Sequence, residues 1–245
     1  MEVAEGINRL GTQYLNFYLI EEGGKFTLVD SGIPGYYEQL TMLLSSNGKS
    51  LSDIDAVVIT HHHQDHIGNA ERLRRDTGGR IFVHPRDAPI VTRRERRPRA
   101  NVLPFAWRPW FVRYIGHLIR NGVLRPPAVA DTKDLPDGER LDIPGSPRVL
   151  HVPGHTPGSC ALWLEERRVL LSDDTLVTLD TARGKRGPCI LTGAFTIDEV
   201  EAIHSLDALA PLDARVMLPG HGEPWTNGVG EAVRIARAKW EAKNA

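Results

Sequence analysis

The stretch Thr60-His61-His62-His63-Gln64-Asp65-His66 constrains this chain more than any other, because it sets four potential metal ligands within six residues directly behind an apolar run. That run, Ile54 to Ile59 with Ala56-Val57-Val58-Ile59 at its centre, predicts a short buried strand, so the ligands fall at a strand's carboxyl end. Residues two apart on an extended chain share a face. His61 and His63 can therefore hold one cation, while His62 alternates away and the turning chain sends Asp65 and His66 towards a second. Two cations about 3.5–4 Å apart can hold a hydroxide between them, and such pairs recur in hydrolytic enzymes.

Three later stretches offer more ligands, each behind its own apolar run: Val152-Pro153-Gly154-His155-Thr156-Pro157-Gly158-Ser159, Leu170-Leu171-Ser172-Asp173-Asp174-Thr175-Leu176 and Leu218-Pro219-Gly220-His221-Gly222. A lone histidine is more often a core or surface residue than a ligand, and His62, His84, His117, His151 and His204 keep that reading. Four motifs in order are a different matter. Together they resemble the metallo-β-lactamase superfamily, over nearly the whole chain. The resemblance implies an αββα sandwich of the α+β class, two mixed sheets packed face to face with helices outside and the ligand loops gathered at one edge. It also implies His61, His63 and His155 on metal one, Asp65, His66 and His221 on metal two, and Asp174 bridging both. Asp65 would then pass a proton to a leaving group.

Imidazole with carboxylate suits zinc, two ions per chain, and admits Fe or Mn. The resemblance narrows the chemistry as well. Asp174 stands where zinc β-lactamases typically carry Cys or Ser, and the nucleic-acid-processing members usually carry an extra domain too large for this length. What remains is the glyoxalase II-like and lactonase-like branch, which cleaves carboxylic esters, thioesters or lactones. Two departures bear on substrate: the glutathione-binding helical domain of glyoxalase II has no counterpart here, and Leu176, Val177 and Thr178 stand near where lactonases place a Tyr. Asp173 occupies a position where the family usually has Gly, which leaves the ligand register at Asp174 open to a slip of one. Other readings of the same fold are a mononuclear iron sulfur dioxygenase and a non-catalytic metal-binding member.

The 245 residues suit one large domain or two small ones, no linker decides for two, and a single domain is expected to run 1–245; the net charge of −1 argues against whole-molecule nucleic-acid binding. No apolar run approaches the ~20 residues of a membrane span. Two cysteines, Cys160 and Cys189, make no disulfide framework, and Met1 to Leu10 lacks a basic start, so a cytoplasmic location is expected. The charge is uneven: Ile90 to Ala130 holds nine arginines and one glutamate, a local +8. Within it Trp107, Trp110, Phe111, Tyr114, Ile115, Leu118 and Ile119 fall at helical spacing with a broad aromatic face. This segment reads as an insertion, a lid over the metal edge whose arginines attract a carboxylate or phosphate and whose aromatic face shelters an acyl chain. Packing on its own domain, a homodimer contact through 107–120, or membrane-surface contact are the other uses of such a stripe.

The rest is expected as follows: an early hairpin, Tyr14 to Ile20 and Phe26 to Asp30, turning at Gly23-Gly24; a helix over 35–46; a helix over 67–76; a strand at 80–84. Strands follow at 149–152, 160–164 and 169–172, then a loop over 181–188. A capping box Thr196 to Glu199 opens a helix to Leu209, and a strand at 214–218 and a helix over 228–243 close the chain. Asp30 is expected either as a carboxylate partner for a ligand histidine or as a simple turn residue.

Overall fold

The computed structural model describes residues 1–98 and 100–244. The chain runs β1 (Glu2–Ala4), β2 (Ile7–Thr12), β3 (Leu15–Glu22), β4 (Lys25–Val29), α1 (Tyr37–Ser46), β5 (Ile54–Ile59), α2 (Ala70–Thr77), β6 (Arg80–Val83), α3 (Ala88–Val91), α4 (Pro109–Arg120) and β7 (Lys133–Asp134). It continues through β8 (Arg148–His151), β9 (Cys160–Leu164), β10 (Val169–Asp173), β11 (Val177–Asp180), β12 (Lys185–Cys189), α5 (Glu199–Ser205), β13 (Val216–Pro219) and α6 (Val229–Asn244). One sheet has the order β1-β2-β3-β4-β5-β6-β7, the other β13-β10-β9-β8. Both are mixed: β4, β5, β6 and β7 run parallel after an antiparallel meander, and β10 pairs parallel with β13 but antiparallel with β9.

Alternation along the strands divides the core into three layers. Ala56 and Val58 of β5 meet Val149, Leu162, Leu171 and Leu218 between the sheets. Val57 and Ile59 point the other way, into a layer with Leu40, Leu44 and Leu73 of α1 and α2. Ala161, Trp163, Leu170 and Met217 face Ile203 of α5 and Val233 of α6. This is the αββα sandwich. Ile54 lies with Val57 rather than Ala56, out of simple alternation, because the β4–β5 register shifts there and Asp55 is left without a partner on β4.

Several local expectations give way to tertiary context. The helix expected from Ile67 starts at Ala70, since His66 and Ile67 bond back to the His63 carbonyl in a turn and Asn69 is anchored by Ser31 and Ile33. The 181–188 loop is mostly a hairpin, β11 with β12. The Thr196 capping box does not form: Asp198 caps α5 through Glu201 N, while Glu199 turns to Gly193 N and Lys243. α5 itself ends at Ser205 and passes into a 3-10 turn through Ala208. In the arginine-rich segment Trp107 precedes α4 and is 72% exposed, so the buried stripe is Phe111, Tyr114 and Leu118.

Candidate metal centre

Five strand ends deliver the site. β5 leads into His61, His63, Asp65 and His66; β8 into His155; β10 into Asp173 and Asp174; β13 into His221; and β4 into Asp30. Parallel pairing of β4 with β5, and of β10 with β13, puts these ends on one edge of the sandwich.

All seven expected ligands are brought together there, in two of the three groups that could hold a metal; the third is His61, His66 and Asp173. In the first, His63 Nδ1 lies 3.1 Å from His61 Nε2 and 2.9 Å from His155 Nε2, and the two Nε2 atoms are 3.3 Å apart. Asp174 Oδ2 closes this group at 3.4 Å from His155 Nε2 and 3.8 Å from His61 Nε2. In the second, Asp65 Oδ2 lies 3.8 Å from His66 Nε2 and 3.7 Å from His221 Nε2. The same Asp174 Oδ2 reaches this group too, 3.6 Å from His66 Nε2 and 3.1 Å from His221 Nε2. One carboxylate oxygen thus faces both sets.

The outward nitrogens decide which inward ones carry lone pairs. His221 Nδ1 donates to the Tyr14 carbonyl, His155 Nδ1 meets Thr196 Oγ1 at 3.3 Å, His61 Nδ1 meets Asp173 Oδ2 at 2.8 Å, and His66 Nδ1 meets Asp30 Oδ2 at 3.0 Å. With their outer nitrogens so engaged, the Nε2 atoms of these rings face one another and the Asp65 and Asp174 carboxylates, a cluster that needs protons or a cation to hold it together. His66 Nε2 and Asp174 Oδ1 are buried with no hydrogen-bond partner among the described residues. Ligands at about 2.0–2.1 Å around one tetrahedral ion would stand about 3.3 Å apart, close to the spacings in the first group. The donor set fits a metal pair.

Electrostatics divides the rings by their carboxylate neighbours: His61, against burial and the charge of His66, is raised by Asp173 and Asp174. Burial together with the neighbouring histidines holds His63 well below its usual range and His155 down at about 3, so both rings are neutral. Burial would do the same to His66, but Asp173, Asp174, Asp65 and Asp30 outweigh it and raise it well above. His221 is also raised, by Asp174 and Asp65 against burial. Asp30 is pushed up to about 7 by burial and by the charge of Asp173.

Asp30 thus stands as a histidine partner, and it fixes the first loop as well by accepting from Thr60 N at 2.9 Å. His62 and Gln64 lie outside the ligand groups. His62 is buried with Nδ1 3.0 Å from Asp87 Oδ2, and Gln64 Nε2 donates to the Leu124 carbonyl beyond α4. The Asp173 carboxylate takes the outward nitrogens of His61 and His66, and its backbone has φ +44°. That is the left-handed region, which Asp tolerates better than most residues.

The sequence reading missed several contributors. Asp87, wholly buried, accepts from His62 N, Thr156 Oγ1 and Gly158 N, and so ties the His61–His66 loop to the His155 loop. Asn16 and Tyr18 of β3 grip the His221 loop through the Pro219 and Gly222 carbonyls. Gly220 lets that loop pass, since a Cβ there would lie 2.3 Å from Asp174 Oδ1. Finally, Tyr114 of α4 reaches the centre, its ring edge-on to His221 at 6.2 Å. Burial, with Asp65 and Asp174 adding to it, keeps its phenol protonated well above the usual range. A tyrosine on an amphipathic helix, remote in the chain from every ligand motif, gives no sequence signal.

A cavity of about 860 Å³ opens over the metal edge, lined by His63, Asp65, Asp174 and His221 on its floor. Its walls are largely apolar: Phe105, Tyr114, Ile115, Leu118, Ile119 and Leu124 on one side, Leu191, Phe195 and Ile197 on the other.

The metallo-beta-lactamase superfamily model matches residues 10–221. The chain is 27% identical over 242 residues to the protein named probable metallo-hydrolase YflN of Bacillus subtilis (strain 168), covering 92% of this chain and 87% of that one. Among solved structures it is similar to the metallo-beta-lactamase family protein TTHA1429 from Thermus thermophilus, with TM-score 0.70, 27% identity and coverage of 98% and 81%. It is also similar to TTHA1623, solved in a di-iron-bound form, with TM-score 0.63, 28% identity and coverage of 91% and 96%.

Proposed function

This chain belongs to the metallo-beta-lactamase superfamily, and from that premise we propose that it is a dinuclear metallo-hydrolase acting on a carboxylic ester, thioester or lactone. The observation that carries the reading is the single Asp174 oxygen facing both ligand groups. His61, His63 and His155 would hold one ion, Asp65, His66 and His221 the other, and Asp174 both. Zinc suits these donors, and iron is the alternative, since TTHA1623 was solved with two irons. When bound, such a pair polarises a carbonyl and lowers the pKa of water from ~15.7 towards ~7.

The chain's own residues would do the rest. Asp65, the most exposed of the three carboxylates at the centre, is placed to take up the proton lost by the attacking water and pass it to the departing oxygen or sulfur. Tyr114, held protonated, can donate to a substrate oxygen. The apolar walls exclude water and suit an acyl body.

The segment 90–130 would serve as the lid of a single domain spanning 1–245. Its inner face packs on Tyr14, with Trp110 and Tyr114 edge-on to that ring, while Ile115 and Ile119 line the cavity. Packing and covering are therefore compatible uses of one helix. Leu103, Trp107 and Val112 remain exposed on the outer side and support contact with a second copy. No helix among the described residues is long and apolar enough to cross a membrane, and neither cysteine is paired, which suits a reducing compartment.

Metal analysis of the purified protein, coupled to a screen of aryl esters, thioesters and lactones before and after chelation, tests the reading. Two metal equivalents and chelator-sensitive turnover are expected. Metal-loaded protein inert towards all three classes would overturn it.

A further inference from the structure

The cavity walls carry little charge above the metal edge. Among the described residues that line the cavity, Arg97 is the one lysine or arginine. It is partly buried, and no hydrogen bond or ion pair from its side chain is found among the described residues. A guanidinium normally takes a carboxylate or carbonyl partner when partly withdrawn from water, because the desolvation is otherwise uncompensated. Asp65 is near enough to favour its charge, but that carboxylate faces the metal edge, and Arg93 opposes it.

Arg97 is also a shared wall. Behind it lies a second cavity of about 350 Å³, lined by Arg93, Arg96 and Arg97 with Glu95, Pro126 and Pro127. Among the described residues, three guanidinia against one carboxylate leave a net charge of +2 around a space large enough for a phosphate group. Arg97 thus lines both cavities, with the metal edge and apolar walls on one side and the cationic chamber, where Arg93 also donates to the Pro126 carbonyl, on the other.

We propose that the physiological substrate is an amphiphile whose scissile acyl group lies at the metal edge and whose other end carries an oxyanion, carboxylate or phosphate, bound by Arg97 with Arg93 and Arg96 behind it. This rests on the hydrolase reading for the bond cleaved, but the oxyanion site stands or falls on its own. Bidentate N–H donation from a planar guanidinium suits both anions, and the two further arginines favour the more highly charged phosphate. Arg97 is thus a specificity-determining residue on the cavity wall, outside the candidate ligand groups.

The test is calorimetric binding of three probes that cannot be hydrolysed at the site's acyl bond: 4-phenylbutyrate, phenyl phosphate and the neutral 4-phenylbutanol. Each is titrated into metal-loaded wild type, Arg97→Gln, Arg97→Lys and Arg96→Gln at fixed ionic strength, with metal content measured for every variant. The wild type should bind both anions at least tenfold more tightly than the alcohol. In Arg97→Gln that preference should fall to about one, with part of it restored in Arg97→Lys. Arg96→Gln should weaken phenyl phosphate more than phenylbutyrate if phosphate is the natural anion, and both equally little if carboxylate is. Anion binding by Arg97→Gln as tight as by the wild type, at equal metal content, would overturn the proposal, for the anions would then be sitting on the metals. Arginine-dependent binding in a protein that cleaves no ester, thioester or lactone would instead remove the hydrolase reading and leave the oxyanion site.

Discussion

The Asp173 carboxylate lies 2.8 Å from His61 Nδ1, on the side of the ring opposite the nitrogen that faces Asp174. Two adjacent aspartates thus address opposite edges of one imidazole, the first orienting it and the second sharing its ligand group. Partners of this kind fix ring orientation and raise ligand basicity, and losing one typically lowers metal affinity about 10–100-fold. Asp173→Gly removes the carboxylate while suiting the φ of +44°, and Asp173→Ala removes it while keeping a Cβ in the left-handed region. Both variants should lose metal affinity by that factor, and Ala should in addition cost about 1 kcal/mol of stability relative to Gly. Competition with a chromophoric chelator measures the first effect and thermal melts the second. Metal affinity equal to wild type in both would refute the orienting role.

Asp174→Ala should remove the oxygen common to both groups. We expect metal content well below two equivalents and a loss of most activity. Two metals per chain in the purified variant would sink the bridging assignment.

His62→Ala should keep its metals, because His62 packs at Asp87 and belongs to neither ligand group. Asp87→Ala is the informative contrast. It would leave His62 N, Gly158 N and Thr156 Oγ1 without their buried acceptor, at a cost of about 3 kcal/mol or more. Denaturant unfolding of the two metal-free proteins should rank Asp87→Ala as much the less stable. The reverse order would show that the two metal loops are not tied through Asp87.

Trp110 bonds the Thr181 carbonyl and packs on Tyr14 without lining the cavity, whereas Ile119 is part of the wall. Trp110→Ala should therefore lower stability with no dependence on acyl chain length. Ile119→Asn should raise KM several-fold for long acyl chains and little for short ones. Equal changes across chain lengths in Ile119→Asn would exclude an acyl-binding wall at α4.

Glu71 is the carboxylate that joins α2 to the end of the arginine-rich segment. It accepts from Arg74, Arg75 and Ala130 N, and the Arg74 bonds lead in lowering its pKa to about 2. A folded-state pKa below the unfolded value contributes stability that is present above about pH 4.5 and lost as pH falls towards 2. Glu71→Gln should accordingly cost on the order of 2 kcal/mol at pH 7, after allowance for solvent screening at the exposed Arg75, and the gap from wild type should narrow below pH 4.5. A gap that stays constant down to pH 3 would assign the loss to packing instead.

Much of the site can be read in the chain because it is local. Apolar runs mark the strands whatever they pair with, so β5 and the candidate cluster from His61 to His66 follow from pattern and spacing, while His155, Asp174 and His221 were legible through the resemblance of their motifs to the superfamily. Asp30 is legible too, at the end of the hairpin before α1. Helix starts are less local. Ala70 rather than Ile67 opens α2, and Asp198 rather than Thr196 caps α5, because Ser31 and the His155 ring claim the competing groups.

Other features exist only once the sheets close. Asp87 joins two loops more than ninety residues apart, Asn16 grips a loop some two hundred residues on, and Tyr114 reaches His221 across an insertion. Their residue types are ordinary for a turn, a strand and an amphipathic helix, so propensity and spacing carry no trace of these contacts. The aromatic stripe of α4 shows the same limit. Helical periodicity fixed which side chains share a face, but Trp107 fell outside the helix, and whether that face met a core, a cavity or solvent depended on β3 and the Thr181 loop arriving beneath it. The candidate ligand positions are legible in the sequence because each needs only its own strand end. The cavity is not, because its walls come from segments that meet only when the two sheets pack.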